Sequence, residues 1–213
     1  MERNIRMEDI SDGKLYGNND LVKADTKNCE GCSACCKGMG ASIVLDPFDI
    51  YQLTTRLQKS MEELLATGLE LNVVDGIVLP NLKMAGQEEA CSFLNKEGRC
   101  SIHEFRPGMC RLFPLGRFYE NDTFQYFIQI HECKKKDLYE VKIKDWIGMQ
   151  DIEKYEAFIN RWHYFLKDLQ KQIKESKEEG FINKVSLYVL QTFYLKPYTL
   201  ERDFYEQFEE RFM

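Results

Sequence analysis

Four cysteines in eight residues, Cys29, Cys32, Cys35 and Cys36, constrain this chain more than any other feature. Two intervening residues let successive thiolates converge on one centre, the geometry shared by zinc knuckles and iron–sulfur loops. Gly31, Gly38 and Gly40 lie in the same stretch, which has no period of 2 or 3.6. This predicts a loop whose backbone can wrap closely around a small inorganic object. Side chains of adjacent residues point apart in extended backbone, so Cys35 and Cys36 either share a tight turn facing one cluster or serve two centres. Cys91, Cys100, Cys110 and Cys133 follow, with no cysteine after them. All eight are candidate metal ligands, enough for two four-cysteine sites, or for one cubane with the remaining thiols around it or on another metal.

A disulfide framework is the competing use of an even cysteine count. Met1 to Asp20 mixes Glu2, Arg3, Arg6, Glu8, Asp9 and Asp12 with isolated apolar residues, so it lacks the apolar core of an export signal. The expectation is a cytoplasmic protein, in a reducing compartment that does not keep thiols paired. The 213 residues carry a net charge of −6, which gives no basic footprint for nucleic acid. No apolar run approaches the ~20 residues needed to cross a bilayer. The expected partners exclude nucleic acid and membrane and include a redox or protein partner.

Known cysteine templates help by failing. A bacterial ferredoxin run places its fourth cysteine three residues after the third and follows it with proline. Here Cys36 follows Cys35 directly and Lys37 comes next. A CxxxCxxC radical-enzyme loop starting at Cys32 and Cys36 meets Met39 at its third position. A redox dithiol at Cys29 and Cys32 lacks the strand-to-helix junction it normally occupies. The distal cysteines supply no second CxxC knuckle for a zinc ribbon.

The segments Cys29-Glu30-Gly31-Cys32-Ser33-Ala34-Cys35-Cys36, Cys91-Ser92-Phe93-Leu94, Gly98-Arg99-Cys100-Ser101-Ile102-His103 and Arg106-Pro107-Gly108-Met109-Cys110-Arg111-Leu112-Phe113-Pro114 resemble the YkgJ-type cysteine-cluster family. That resemblance covers about Cys29 to Cys133. It implies a zinc- or iron-chelating CxxCxxCC domain of a kind often labelled iron–sulfur oxidoreductase, and also found in flagellin lysine N-methylases. His103 stands where many members carry tyrosine.

Four thiolates around Zn²⁺ or an oxidised [4Fe-4S] core leave a net charge of −2, to be offset by hydrogen bonds or cations. Lys37, Arg99, Arg106, Arg111 and Lys134-Lys135-Lys136 are placed for that, although the triple lysine also reads as a solvated loop. Pro107 and Pro114 fix φ on either side of Cys110, consistent with a rigid ligand loop. His103 and His131 are near cysteines, but thiolate-rich sites prefer sulfur. His163 falls on the polar face of a helix and reads as solvated.

The predicted fold is α+β: a small cysteine-rich region of short hairpins, loops and short helices around a metal centre, followed by a helical C-terminal third. The boundaries read as a polar, loosely held arm over 1–28, a metal-binding domain over 29–144 and a helical region over 145–213 packed on it. Asp46-Pro47 starts a helix to about Leu57. Ser60 to Glu63 has the spacing of a capping box, and Gly68 closes that helix. Hairpins are predicted around Asp75-Gly76, around Asn95 to Gly98, where Cys91 and Cys100 come together, and around Glu120 to Asp122. In the third, Phe124, Tyr126, Ile128 and Ile130 share a face. Apolar residues at three- and four-residue spacing predict helices over Gln150 to Ser176, Ile182 to Leu195 and Thr199 to Phe212. The aromatic stripe Tyr155, Trp162, Phe193, Tyr194, Phe204 and Phe208 reads as core.

Three functions fit: an iron–sulfur protein, most simply [4Fe-4S], with a redox or oxidoreductase-support role; a structural zinc module presenting a protein-interaction surface; or a metal-dependent protein-modifying enzyme. No GxGxxG, P-loop or HExxH motif is present, so neither nucleotide nor metalloprotease chemistry is supported.

Overall fold

The computed structural model describes residues 6–27 and 32–213. Cys29, with Glu30 and Gly31, lies outside the described residues. In chain order the elements are α1 (Met7–Ile10), β1 (Leu21–Asp25), α2 (Pro47–Leu57), α3 (Met61–Thr67), β2 (Leu69–Val74), β3 (Ile77–Leu82), β4 (Met84–Ala85) and β5 (Ala90–Cys91). These are followed by α4 (Gly108–Leu112), β6 (Leu115–Glu120), β7 (Thr123–Ile128), β8 (Tyr139–Lys142), α5 (Ile143–Ile147), α6 (Ile152–Glu175), α7 (Phe181–Val189) and α8 (Phe204–Glu209). The strands form four antiparallel pairs, β1–β8, β2–β3, β4–β5 and β6–β7. This is the mixed α+β architecture that the sequence predicts, with a helical C-terminal part.

Local chemistry explains the elements that the sequence makes most legible. The Asp46 carboxylate accepts from Asp49 N at 2.9 Å and Asp49 returns a bond from Asp46 N at 3.1 Å, closing a reciprocal cap on α2. Ser60 and Glu63 do the same for α3. Asp75 and Gly76 have φ of 49° and 90°, the left-handed pair that a two-residue turn requires between β2 and β3.

Within the predicted arm, the described residues 6–27 are tied to the domain. Tyr16 pairs with Tyr126 on β7, and Val22 and Ala24 point inward from β1, where Ala24 is fully buried. A two-residue alternation in so short a strand is easily lost among Lys23, Asp25 and the polar residues before it. Cys91 lies opposite Met84 in β4–β5, not opposite Cys100; the turn over Asn95 to Gly98 is closed by a Leu94–Cys100 bridge. Tyr126 is buried on β7, whereas Ile130 lies past the strand and is exposed.

The helical third departs from prediction in two places. After α7 the chain widens into a π-helical turn over Leu190–Leu195. The last helix starts at Phe204, capped by Asp203, because Thr199 to Arg202 is used otherwise: Thr199 N and O are held by the Gln207 side chain, both at 2.9 Å, and Leu200 is 71% exposed. The Arg211 guanidinium donates to the carbonyls of Thr192, Lys196 and Pro197, satisfying acceptors that the end of a helix leaves open. Tyr155, Trp162, Phe193, Tyr194, Phe204 and Phe208 are all buried, as the aromatic stripe predicts. Phe158 packs edge-on to Phe208 at 4.6 Å between ring centres. The buried side chains of the hairpins and the helices belong to one contiguous core, tied across by Tyr194 Oη donating to Leu45 O at 2.8 Å.

Candidate metal centre

Each thiol is placed by a different device. Ala34–Cys36 forms a single 3₁₀ turn, closed by Cys36 N donating to Ser33 O at 2.9 Å. The turn resolves the problem of adjacent cysteines: Cys35 and Cys36 border the same cavity, and their thiols act on each other. Cys91 ends β5, and Lys37 pairs with its neighbour Ala90, which draws the CxxCxxCC loop against that strand. Cys100 follows the Asn95 to Gly98 turn. Cys110 sits inside α4, a short helix where the two flanking prolines suggest only a rigid loop.

These devices bring Cys35, Cys36, Cys91, Cys100 and Cys110 around one cavity of about 650 Å³. The five thiols sense one another: Cys36 is raised by Cys35, Cys110 and Cys100, and Cys110 by Cys91, Cys100 and Cys35. Burial pushes Cys91, Cys100 and Cys110 up as well, as expected for sulfur taken out of water. Cys35 moves the other way, to about 7, because the Cys36 thiol donates to it and Arg106 lies nearby. It is the thiol of the group most readily ionised. Cys32 also borders this cavity. With Cys35 and Cys133 it lines a second, smaller one of about 30 Å³ beside Glu132 and Trp146. Of the predicted ligands, seven therefore flank two adjoining spaces that share Cys32 and Cys35. No disulfide joins any two of the described cysteines.

A family model described as "Putative zinc- or iron-chelating domain" matches residues 28–142. The chain belongs to the CxxCxxCC family. No curated protein and no solved structure matches it. The matched span opens just after β1 and ends with β8, so the strand pair brackets the CxxCxxCC domain. Among the described residues, no three His, Cys, Asp or Glu side chains stand close enough to enclose a metal ion. The thiols ring a cavity instead of closing on a point. By chemistry they nevertheless suit a thiophilic metal or cluster, with soft donors from four separate segments and cations beside them.

Of the predicted cations, Arg99 and Arg106 border the main cavity and Lys134 and Lys135 the smaller one; Lys37 and Arg111 border neither. Arg106 donates to His103 O at 3.0 Å and acts electrostatically on both Cys35 and Cys100. Arg111 is fixed by the carbonyls of Glu104 and Ile147. Lys37 pairs with Glu88 at 2.5 Å, and Lys135 reaches Thr26 O at 3.3 Å. His103 borders the cavity and is held below its ordinary value by burial and by Arg106. His131 is exposed and outside it.

The cap of α2 supports the centre from behind. Asp49 Oδ1 accepts from Gly108 N at 2.7 Å, at the first residue of the helix that carries Cys110. Asp49 is buried, which raises its carboxyl to about 6; burial and the Asp49 charge hold Asp46 well above the carboxylate range. An unfolded aspartate titrates near ~3.9, so above about pH 4 the folded chain retains protons that the unfolded chain has released. This pair therefore makes stability fall as pH rises from about 4 through 6. Asp46→Asn preserves the cap and removes the larger shift. Urea midpoints of variant and parent between pH 4 and 8 should show the variant gaining relative stability as pH rises. A pH-independent difference would contradict the assignment.

Three residues in the lining escape sequence reasoning. Asp46 reads only as a cap, and Arg117 is hidden in a strand of alternating aromatic residues. His163 is not solvated: its ring stacks on Tyr119 at 3.5 Å and borders the main cavity. The polar face of α6 lies over the β6–β7 hairpin, where Glu156 accepts from Tyr126 Oη at 2.9 Å and Asn160 donates to Asp122 O at 2.7 Å.

Proposed function

We propose that the protein is an iron–sulfur protein, holding a [4Fe-4S] cluster through cysteines drawn from Cys29, Cys32, Cys35, Cys36, Cys91, Cys100, Cys110 and Cys133. Its role is electron transfer, or support of an oxidoreductase, with a redox or protein partner in the reducing cytoplasm. In this reading residues 29–144 carry the centre, and residues 145–213 back it with a helical layer. The observation that carries the proposal is the ring of five thiols, Cys35, Cys36, Cys91, Cys100 and Cys110, around one cavity, more sulfur than a single zinc ion takes. A bound cluster supplies one-electron transfer at a potential set by its charge and surroundings. Cys35 offers the readiest thiolate, Arg106 offsets negative charge, and α4 fixes Cys110.

Zinc is the second reading, favoured by His103 beside the thiols, since a Cys₃His set suits that metal. Purification without oxygen, followed by a visible spectrum and assays for iron, zinc and acid-labile sulfide, separates the two. A brown protein that bleaches in air and contains iron and sulfide in equal amounts is expected. Colourless protein with stoichiometric zinc and no sulfide would replace the cluster reading with the zinc one.

A further inference from the structure

The cavity is bordered by more than thiols. Arg117, on β6, borders it with its guanidinium in the interior. Nη2 donates to Tyr155 Oη at 3.3 Å, while Nε is buried with no hydrogen-bond partner. Among the described residues, no carboxylate forms a hydrogen bond or ion pair with this side chain; its neighbours are the phenols of Tyr119 and Tyr155 and the rings of Phe124 and Tyr155, whose centroids are 5.5 and 5.8 Å away. Aromatic faces offset part of a buried cation's lost hydration. They leave the Nε–H without an acceptor, and a buried donor left unpaired is costly.

The same cavity is bordered by apolar side chains, Ile159, Trp162 and Leu166 from α6, and Val74, Leu79 and Leu82 from the β2–β3 hairpin. About 650 Å³ lies within the usual ~300–1,000 Å³ of small-molecule sites, which are mostly apolar with a few convergent polar groups. We propose that this cavity binds a small organic carboxylate, its anionic group on Arg117 and its apolar body between α6 and the β2–β3 hairpin, beside the thiols. A planar carboxylate matches the guanidinium fork and supplies the acceptor that Nε lacks. Asp46, which also borders the cavity, and Asp49 both act electrostatically on Arg117, and burial holds both carboxyls toward the neutral form, which limits their repulsion of a bound anion. The proposal stands whether the thiols hold a cluster or zinc.

The test is calorimetric titration of the protein as purified, with its metal, using straight-chain carboxylates from acetate to octanoate and octanamide as the uncharged isostere. Saturable binding that tightens with chain length is expected, with octanoate favoured over octanamide by about tenfold or more, the value of a hydrogen bond to a charged group. Arg117→Gln should abolish that preference and Arg117→Lys should keep part of it. The acid–amide comparison on the unaltered protein needs no variant to fold. Absence of saturable carboxylate binding, equal binding of acid and amide, or an undiminished preference in Arg117→Gln would each overturn the proposal. Metal and sulfide content, measured on the same samples, reports on the metal reading independently.

Discussion

Cys110→Ser is expected to lose most of the bound metal and, with it, the ordered state of the cysteine loops. Cys110 is carried on a helix held by a buried carboxylate, so a serine oxygen in its place cannot shift to recover a sulfur bond. In small thiolate sites binding energy is folding energy, with apparent values of ~10–16 kcal/mol for structural zinc. The loss should be regional. Hydrogen exchange is expected to rise over 32–40 and 90–112, whereas α6, whose Tyr155, Phe158 and Trp162 are packed in the aromatic core, retains protection. Uniform deprotection of both regions, or unchanged metal content, would argue against Cys110 as a ligand.

Gly108→Ala should be strongly destabilising for a change of one methyl group. A Cβ at Gly108 would lie 2.5 Å from Tyr155 Oη and 3.5 Å from Asp46 Oδ2, and Tyr155 is buried with no room to retreat. Overpacking, together with strain on the Gly108–Asp49 hydrogen bond, predicts a loss of about 3 kcal/mol. In a chain of this size that is a fall in Tm of about 6–12 °C. Cys110 shifts with the helix, so metal content should fall too. Tyr155→Phe removes the clashing oxygen and should recover part of the loss in the double variant. Gly17→Ala, whose new Cβ meets only Asp20 Oδ2 at 3.7 Å, should change stability by less than ~0.5 kcal/mol. Additive effects of Gly108→Ala and Tyr155→Phe would show that the strain lies elsewhere.

What the sequence makes legible here is what short-range chemistry decides. The caps at Asp46 and Ser60, the Asp75-Gly76 turn and the apolar spacing of α6 each lie within a few residues and appear in the structure. The gathering of thiols is half legible: spacing predicts that Cys35 and Cys36 face a shared space on a turn or separate, and the 3₁₀ turn decides for the shared space. The pairing of β1 with β8 is not legible, because strands of five and four residues carry no signal of a partner at the other end of the domain. Nor are Arg117 and His163, whose roles arise only when α6 lies across the β6–β7 hairpin.

The β1–β8 pair has a consequence for how the protein is made. By the time Cys36 leaves the ribosome, half of the thiols exist and β1 has no partner; the strand that completes it, Tyr139–Lys142, comes last in the domain. At ordinary elongation rates that interval is about 5 to 20 s. Throughout it the nascent chain presents reactive sulfur with no sheet to shield it. Metal delivery therefore has to wait for, or cooperate with, the closing strand. A stop introduced just before Tyr139 would yield a chain with every cysteine in place and nothing to draw the two ends of the domain together.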